Sequence, residues 1–494
     1  MSLAQRSVRS ATWATFTTIA ALPVNFVHSV LLARLLPVEY FGIYAGVNSV
    51  LVLSSTFFEF GFTNAFLHRS PETEDEGKAA SAFFTLRLIF ETLWALSLII
   101  FGWIAFSDLR RFVLIVLVVA SYTYRLTLTP KALLIRRVQH RRLALIDLAA
   151  SVISALVSIL IAFLYQSIWA LLVSSLIMTA ASITGFYIWK PLWKPRLSWD
   201  WQIVRYYFGF GSRNLVNNIL DSALDNLDNL WTNFYLGDAL LGFYSRAFKF
   251  SIYPRMILAT PITSVAIGTY AELKQDRKRL TRAFFQTNAF LTRAGFFLAG
   301  WLAVIAPYFI QLLLGERWLP MLTAFRLMLI FAMLDPIKGT ISSLLIAVGD
   351  PQKISAVRIA QLIVLIAGLF GLGTRFQTAG VAMAMDLMVV TGTILSILYV
   401  RPYIDISWIK LFSAPLVSIA IAVGATWFLG AQLSSSLSFW WTAGIKTLLF
   451  PIIYFTILFA MEGNDILQNT REILGMFSIQ GWFSWLGKNS NSKD

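Results

Sequence analysis

The sequence predicts an all-α integral membrane protein. About fourteen transmembrane helices form two six-helix lobes in a parallel pseudo-repeat, with two extra helices after them. Three observations lead there. The chain is 57% hydrophobic and only 13% charged, with a mean hydropathy of +0.70, whereas soluble domains carry about 45–50% apolar and about 25% charged residues. Its apolar residues come in runs of roughly 20, the length that crosses a bilayer as a helix. Those runs lack the period-2 alternation of an outer-membrane barrel, so helices must satisfy the backbone. Finally, the basic residues fall in alternate connections.

The spans are read at 11–33, 41–66, 80–106, 112–130, 143–165, 167–189, 205–236, 240–268, 283–314, 321–348, 354–373, 377–400, 408–430 and 437–461. Turn residues close the connections between them, as in Leu36-Pro37, Gly237-Asp238 and Gly349-Asp350-Pro351. The N-terminal run is too long for the core of a cleavable signal. The organisation expected is 1–200 for the first lobe, 201–402 for the second, 403–462 for the last two spans and 463–494 for a cytoplasmic tail. Ile466, Leu467, Ile473, Leu474, Phe477, Trp482 and Trp485 give that tail the pattern of an amphipathic helix on the membrane, with an extended tail as the alternative.

Orientation follows the basic loops, which lie on the cytoplasmic side. Lys131, Arg136, Arg137, Arg141 and Arg142 share one side with Lys190, Lys194, Arg196 and Arg205, and with Lys274, Arg277, Lys278, Arg279 and Arg282. The opposite loops hold Arg34, Arg110, Arg111, Arg317 and Arg375. Both termini are then cytoplasmic, and the formal charge of +15 belongs to the inner membrane face rather than to a nucleic-acid site.

A shift of 200 residues brings Leu36, Gly42 and Tyr44 onto Leu236, Gly242 and Tyr244. Both segments are helix–turn–helix and both open a set of six spans. An even number of spans gives the two sets one orientation, so the duplication is parallel.

Charges inside spans cost ~2.5–3.5 kcal/mol each at a helix centre, and here they cluster. Asn214, Asn217, Asn218, Asp221, Asp225, Asp228 and Thr232 fall at steps of three and four on the seventh span. Arg246, Lys249 and Tyr253 share a face of the eighth, with Arg255 beyond. Counted from the Gly237-Asp238 turn, Asp228 stands level with Arg246, Asp225 with Lys249, and Asp221 with Arg255. Two readings stay open: a ladder of ion pairs pinning the hairpin, or a wet cavity whose bases hold an anion and whose acids hold a coupling ion. Glu59, Arg87, Glu91, Arg125 and Arg293 are further buried charges, with Asn25 and His28 on the first span. Arg87 and Glu91 are four apart and suit a local pair, as do Asp335 and Lys338. Arg125 and Arg293 have no local partner in the sequence. An arginine in that position suits a phosphate, which its planar fork grips with two bonds; the alternatives are snorkelling and a distant partner. Asp386 and Arg358 have no evident role.

No cysteine is present, which excludes disulfides, iron–sulfur clusters and thiolate zinc sites. The three histidines are scattered, and neither a G-x-x-x-x-G-K-[ST] phosphate loop nor an H-E-x-x-H or G-x-S-x-G motif occurs. The outer loops are too short to carry a soluble catalytic domain. A transporter without metal or cofactor is therefore expected rather than an enzyme.

Three segments carry a resemblance: LLARLLPVEYFGIYA at 31–45, LDNLDNLWTNFYLGDALLGFYSRAFKF at 224–250, and GERWLP at 315–320. In this order, they resemble polysaccharide flippases of the Wzx type, in the multidrug/oligosaccharidyl-lipid/polysaccharide exporter superfamily. The similarity covers the first twelve spans and leaves the tail unmatched. It implies two six-helix lobes working by alternating access in the bacterial inner membrane. The cargo implied is a polyprenyl-diphosphate-linked oligosaccharide for surface polysaccharide, whether O-antigen, capsule or exopolysaccharide. It also implies other polysaccharide-assembly membrane proteins as partners and, by analogy, coupling to a proton or sodium gradient, with the ion and the coupling itself left open. The matched YSRA segment places Arg246 in the cavity. Arg87, Arg125, Arg293, Lys249, Asn25 and Tyr253 join it as substrate-binding candidates by charge and polarity alone. Asp221, Asp225, Asp228 and Glu59 are the candidate coupling carboxylates. A drug or cation antiporter of the same superfamily is the competing reading, and the buried bases weigh against it.

Overall fold

The computed structural model describes residues 3–69, 76–433 and 438–463, and no strand occurs among them. The first helices are α1 (Leu3–Leu35), α2 (Val38–Glu59), α3 (Phe62–His68), α4 (Glu76–Ala105), α5 (Asp108–Leu126) and α6 (Leu128–Arg136). Then follow α7 (His140–Tyr165), α8 (Trp169–Ile183), α9 (Trp201–Leu236), α10 (Asp238–Ser251) and α11 (Tyr253–Leu273). The remainder are α12 (Arg277–Leu313), α13 (Leu322–Val348), α14 (Gln352–Gly368), α15 (Thr374–Val400), α16 (Trp408–Leu433) and α17 (Phe439–Glu462). Widened π-type turns extend α8 over Thr184–Ile188 and α14 over Leu369–Gly373.

Among the described residues, 10 helical segments are long and apolar enough to cross a membrane. One of them, Gln352–Val400, runs to 49 residues and is broken where Gln377 leaves helical geometry at φ 50° and ψ −132°. The chain is thus a multi-pass helical membrane protein. The segments outside the 10 include α9 and α10, which carry the polar face read from the sequence. The amphipathic tail expected at 463–494 lies, after Gly463, outside the described residues.

Chain contacts divide the protein into two compact units. One comprises Met1–Arg246 with Leu313–Trp318, the other Ala247–Leu312 with Leu319–Asp494. The sequence reading begins the second lobe at residue 201. In the structure α9 packs along α2 and α3, and so is counted with the first unit.

In the first unit α1 lies against α7, α7 against α8, and α5 against both α4 and α8. Between α2, α4, α5 and α8 a core of Val47, Leu51, Trp94, Leu98, Val113, Leu117 and Leu172 is closed to solvent. In the second unit α15 packs on α13 and α14, and α11 packs on α13. The final pair, α16 and α17, pack on each other and meet α12 through Phe296, Ala414, Ala422, Phe450, Tyr454 and Leu458.

The two similar turns, 200 residues apart, meet in the first unit. A Cβ on Gly42 would overlap the carbonyl oxygen of Asp238, and a Cβ on Gly242 would overlap that of Val38. Val38 and Asp238 are themselves 200 positions apart, so the contact is reciprocal: each copy's glycine receives the other copy's backbone. Only a residue without a side chain lets two helices approach so closely. The turn of α1 into α2 is held further by residues 313–318. Arg317 donates to the carbonyl of Ala33 at 2.6 Å, Trp318 Nε1 donates to the same oxygen at 2.9 Å, and Arg34 donates to Leu313 O at 2.7 Å. The Trp318 ring meets Phe41 edge-on at 5.5 Å and Phe243 at 5.8 Å. The three segments that carried the family resemblance therefore converge on one place.

A methyl at either glycine has a backbone carbonyl, not a flexible side chain, to displace. Gly42→Ala and Gly242→Ala should each destabilise the detergent-solubilised protein by about 1–3 kcal/mol or more, read as a lowered thermal midpoint. Ala at Gly209, which has open space around it, should leave that midpoint nearly unchanged.

Candidate functional site

The main cluster of buried charge forms where α2 ends. Phe60 and Gly61 both adopt left-handed geometry, at φ 49° and 69°, and this two-residue break separates α2 from α3. Glycine takes that conformation without strain, and phenylalanine does not. Glu59, the last residue of α2, thus stands at the negative end of a helix, where a carboxylate is disfavoured. Two arginines compensate. Arg87 of α4 is 1% exposed. It donates to Glu91 Oε1 at 2.7 Å and to Thr63 Oγ1 at 3.0 Å, and Thr63 in turn donates to Glu59 at 3.0 Å. Arg125, at the end of α5, lies over the Trp94 ring at 5.2 Å. Its contacts are long: 3.5 Å to Glu91 and 3.9 Å to Glu59.

The strength of the contacts is uneven. Arg87 and Glu91 are sealed, each with side-chain exposure of 1%, as the i,i+4 spacing predicts. Arg125 and Glu59 are 18% and 36% exposed and meet at the outer limit of an ion pair. Of the readings left open for Arg125, a distant partner is present: Glu91 reaches it from the neighbouring helix at 3.5 Å, which no local spacing could reveal. The cluster has two positive and two negative members, one pair tight and one loose.

Arg293 has a distant partner too, and a firmer one. It forms a two-bond fork with Glu462, at 2.7 and 2.5 Å, and its backbone carbonyl accepts from Tyr454 at 2.8 Å. Both charged side chains are largely buried, at 14% and 13%. The fork that suits a phosphate is already occupied by the last helix, and it ties α17 to α12.

The polar face of α9 is partly closed. Asp228 is fully buried and accepts from Tyr244 at 2.5 Å. Arg246 of α10 is 9% exposed, lies over Phe41 at 4.6 Å and donates to Ser29 of α1 at 3.2 Å. Beyond the Gly237 turn, Asp238 accepts from Arg110 at 2.8 Å and from Asn233 at 2.8 Å. The regular ladder drawn from the sequence does not describe Arg255, which pairs with Asp335 at 2.9 Å. Asp335 also takes Lys338 at 2.9 Å, as expected. Asp225 and Asn25 are exposed, while Asp221, Lys249 and Tyr253 are half-buried. Asp386 of α15 is buried, with no hydrogen-bond partner for either oxygen among the described residues.

The structure thus gathers Arg87, Arg125 and Glu59 at one point, with Thr63 and Glu91 completing it. Arg246 and Asp228 lie in the same unit on other contacts, and Arg293 is a structural pin. Ser29, Phe41 and Glu462 escaped the sequence reading because their partners are more than 150 residues away. Among the described residues no group of acidic or histidine side chains is arranged to hold a metal ion.

The fold recurs in known transporters. The inward closed form of the lipid II flippase MurJ superposes with a TM-score of 0.72, covering 93% of this chain and 100% of that one at 15% identity. An inward-facing MATE-family multidrug resistance transporter of the MOP superfamily gives 0.61, over 79% of this chain and 97% of that one, also at 15% identity. The likeness is one of fold, shared with these two membrane proteins. A family described as "Polysaccharide biosynthesis protein" matches residues 31–323, more than half of the chain, and the protein belongs to that family. Similar curated proteins include lipopolysaccharide biosynthesis protein WzxC of Escherichia coli K12, 21% identical over 86% of this chain and 89% of its own length. Teichuronic acid biosynthesis protein TuaB of Bacillus subtilis 168 is 22% identical over 70% and 72%. Succinoglycan biosynthesis transport protein ExoT of Rhizobium meliloti is 24% identical over 64% of each chain.

Cutting one side of the Arg293–Glu462 fork leaves a buried charge unanswered, so Arg293→Ala and Glu462→Ala should each cost about 3–5 kcal/mol of stability. Exchanging the two, Arg293→Glu with Glu462→Arg, should recover a large part of the loss in thermal melting of the purified protein. Failure of the exchange to recover any stability would show that the pair does not hold α17.

Proposed function

We propose that this protein is a flippase that moves a polyprenyl-diphosphate-linked oligosaccharide across the bacterial inner membrane for surface polysaccharide assembly. Family membership, relatives named for lipopolysaccharide, teichuronic acid and succinoglycan biosynthesis, and a fold shared with a lipid II flippase support the reading. In this reading the chain makes fourteen crossings: the long Gln352–Val400 run counts as two, and α1, α9 and the α10–α11 pair supply the rest. Two lobes, 1–200 and 201–402, alternate access, both termini are cytoplasmic, and the protein acts as a transporter rather than an enzyme.

The observation that carries the substrate assignment is the loose Arg125–Glu59 contact. A diphosphate offers oxygens that an arginine fork prefers to a carboxylate 3.9 Å away. Glu59 then acts as a resident stand-in, displaced when the headgroup arrives, while Arg87 stays fixed by Glu91 and supplies lasting positive potential. Arg246, Lys249, Tyr253 and Asn25 remain candidates for contact with the sugar, and Asp221, Asp225 and Asp228 for a coupling proton or sodium ion. Asp225, exposed on α9, is the first of these to test.

Replacing Arg125 by Ala should lower headgroup binding and export about 10–100-fold, the worth of a hydrogen bond to a charged group, with insertion intact. Glu59→Gln should bind an isoprenyl diphosphate more tightly than the natural protein does. The assay is the leaflet distribution of lipid-linked oligosaccharide in a deletion strain carrying each variant, with binding measured on purified protein. Cytoplasmic accumulation with Arg125→Ala, relieved by the natural chain, supports the reading. An unchanged lipid pool and normal surface polysaccharide in the deletion strain would turn attention to drug or cation efflux.

A further inference from the structure

The connection between α8 and α9 stands apart from the other joints. Residues 189–200 have no regular structure, in a fold whose other described joints are mostly tight turns. Connections of that length without helix or strand are uncommon in compact domains, and usually functional. The sequence is WKPLWKPRLSWD, followed by Trp201.

The strap is pinned at three points along one side. Leu192 packs on Leu134, Leu143, Ile146 and Phe186. Trp193 meets Phe84 edge-on at 5.4 Å, and the Ser198 amide donates to Thr85 Oγ1 at 3.0 Å. At its start Arg142 holds the backbone of Gly185 at 2.9 Å and stacks over Trp189 at 5.4 Å. The pinned backbone turns the other side chains outward. Trp189, Leu197, Trp199 and Trp201 are 49%, 71%, 52% and 67% exposed, and Trp199 stacks with Trp201. Lys190, Lys194, Arg196 and Arg205 are exposed beside them.

Charge on the strap is one-sided. Its single acid, Asp200, is spent on the N-terminus of α9, where it accepts from the Gln202 and Ile203 amides. None of Lys190, Lys194, Arg196 and Arg205 has an ion-pair partner among the described residues. Elsewhere, exposed bases such as Arg137 and Arg277 face Glu76 and Asp405. Exposed indoles with unanswered cations are the composition of a membrane–water interface.

We propose that the 189–201 strap is an interfacial anchor that binds the phosphate headgroups of anionic phospholipid. Trp189, Leu197, Trp199 and Trp201 sit at the acyl boundary, and Lys190, Lys194 and Arg196 meet the headgroups. The proposal does not depend on the flippase reading.

The test uses the full chain in neutral detergent, titrated with phosphatidylglycerol or phosphatidylcholine, with bound lipid counted by native mass spectrometry. The triple variant Lys190→Gln/Lys194→Gln/Arg196→Gln removes the strap's charge. The triple variant Lys274→Gln/Lys278→Gln/Arg279→Gln removes equal charge from another basic connection without exposed tryptophans. Each strap base should contribute about fivefold to phosphatidylglycerol affinity, so the strap triple should lose far more than the control triple, and phosphatidylcholine binding should not change. The single variants Lys194→Gln and Arg196→Gln, which remove no contact within the protein, cover the case in which the triple misfolds. Equal losses in the two triples would assign the effect to overall charge, and no loss in the strap variants would remove the strap from lipid binding. A loss confined to an isoprenyl diphosphate probe, with phosphatidylglycerol unaffected, would reassign the strap to the substrate. Each of these three results overturns the proposal.

Discussion

A cation placed in hydrocarbon has to be answered by an anion or a carbonyl, and both units of this protein are organised around that requirement. In the first, Arg87 and Arg125 draw Glu59, Glu91 and Thr63 from three helices into one knot. In the second, Arg293 reaches Glu462, and Arg255 and Lys338 share Asp335. These contacts are directional, so they fix the rotation of each helix as well as its neighbour. Apolar packing between helices in lipid gains little from the hydrophobic effect, because lipid and leucine are nearly equivalent surroundings. Polar contacts therefore specify much of what a soluble protein would specify through its core.

The second constraint is steric. The reciprocal seat of Gly42 on Asp238 and of Gly242 on Val38 gives a physical account of the 200-residue repeat. Where two similar segments touch, matching small residues are required on both sides, because each must fit the backbone of the other. Arg317 and Trp318 then cap the same place from a third segment. The family resemblance rested on these three stretches, and they are the stretches whose side-chain size is dictated by close approach. They mark how these segments of the first unit are assembled.

This explains what could be read in the sequence. The 10 long apolar helical segments followed from hydropathy, and the short-range pairs Arg87–Glu91 and Asp335–Lys338 followed from helical spacing. Partners from distant segments did not. Glu462 lies at the end of the last apolar run and resembles a solvated terminus, so nothing in the sequence offered it to Arg293. The hairpin ladder assumed that matching depth implies matching face, and Arg255 turned to α13 instead. Asp228 was marked as a charge among charges, but its closest partner is the neutral Tyr244. Depth in a membrane can be counted along a chain, whereas azimuth around a helix depends on packing that only the folded protein defines.

Arg125 and Arg293 are equivalent by every measure the sequence supplies, being single arginines within apolar runs and lacking nearby acids. The structure separates them by how firmly each is held. A two-bond fork buried between helices is lost only when the helices part, which suits a permanent brace. A guanidinium over an indole, with carboxylates at 3.5 and 3.9 Å, can change partners at small cost, since it gives up little direct hydrogen bonding when it does. A transporter must release its cargo as readily as it binds it, so a site already charge-balanced by a resident carboxylate has an advantage over a bare cation. In the proposed reading, Glu59 at the broken end of α2 would lower the gain on binding and restore the balance on release, while Arg87 and Glu91 stay paired.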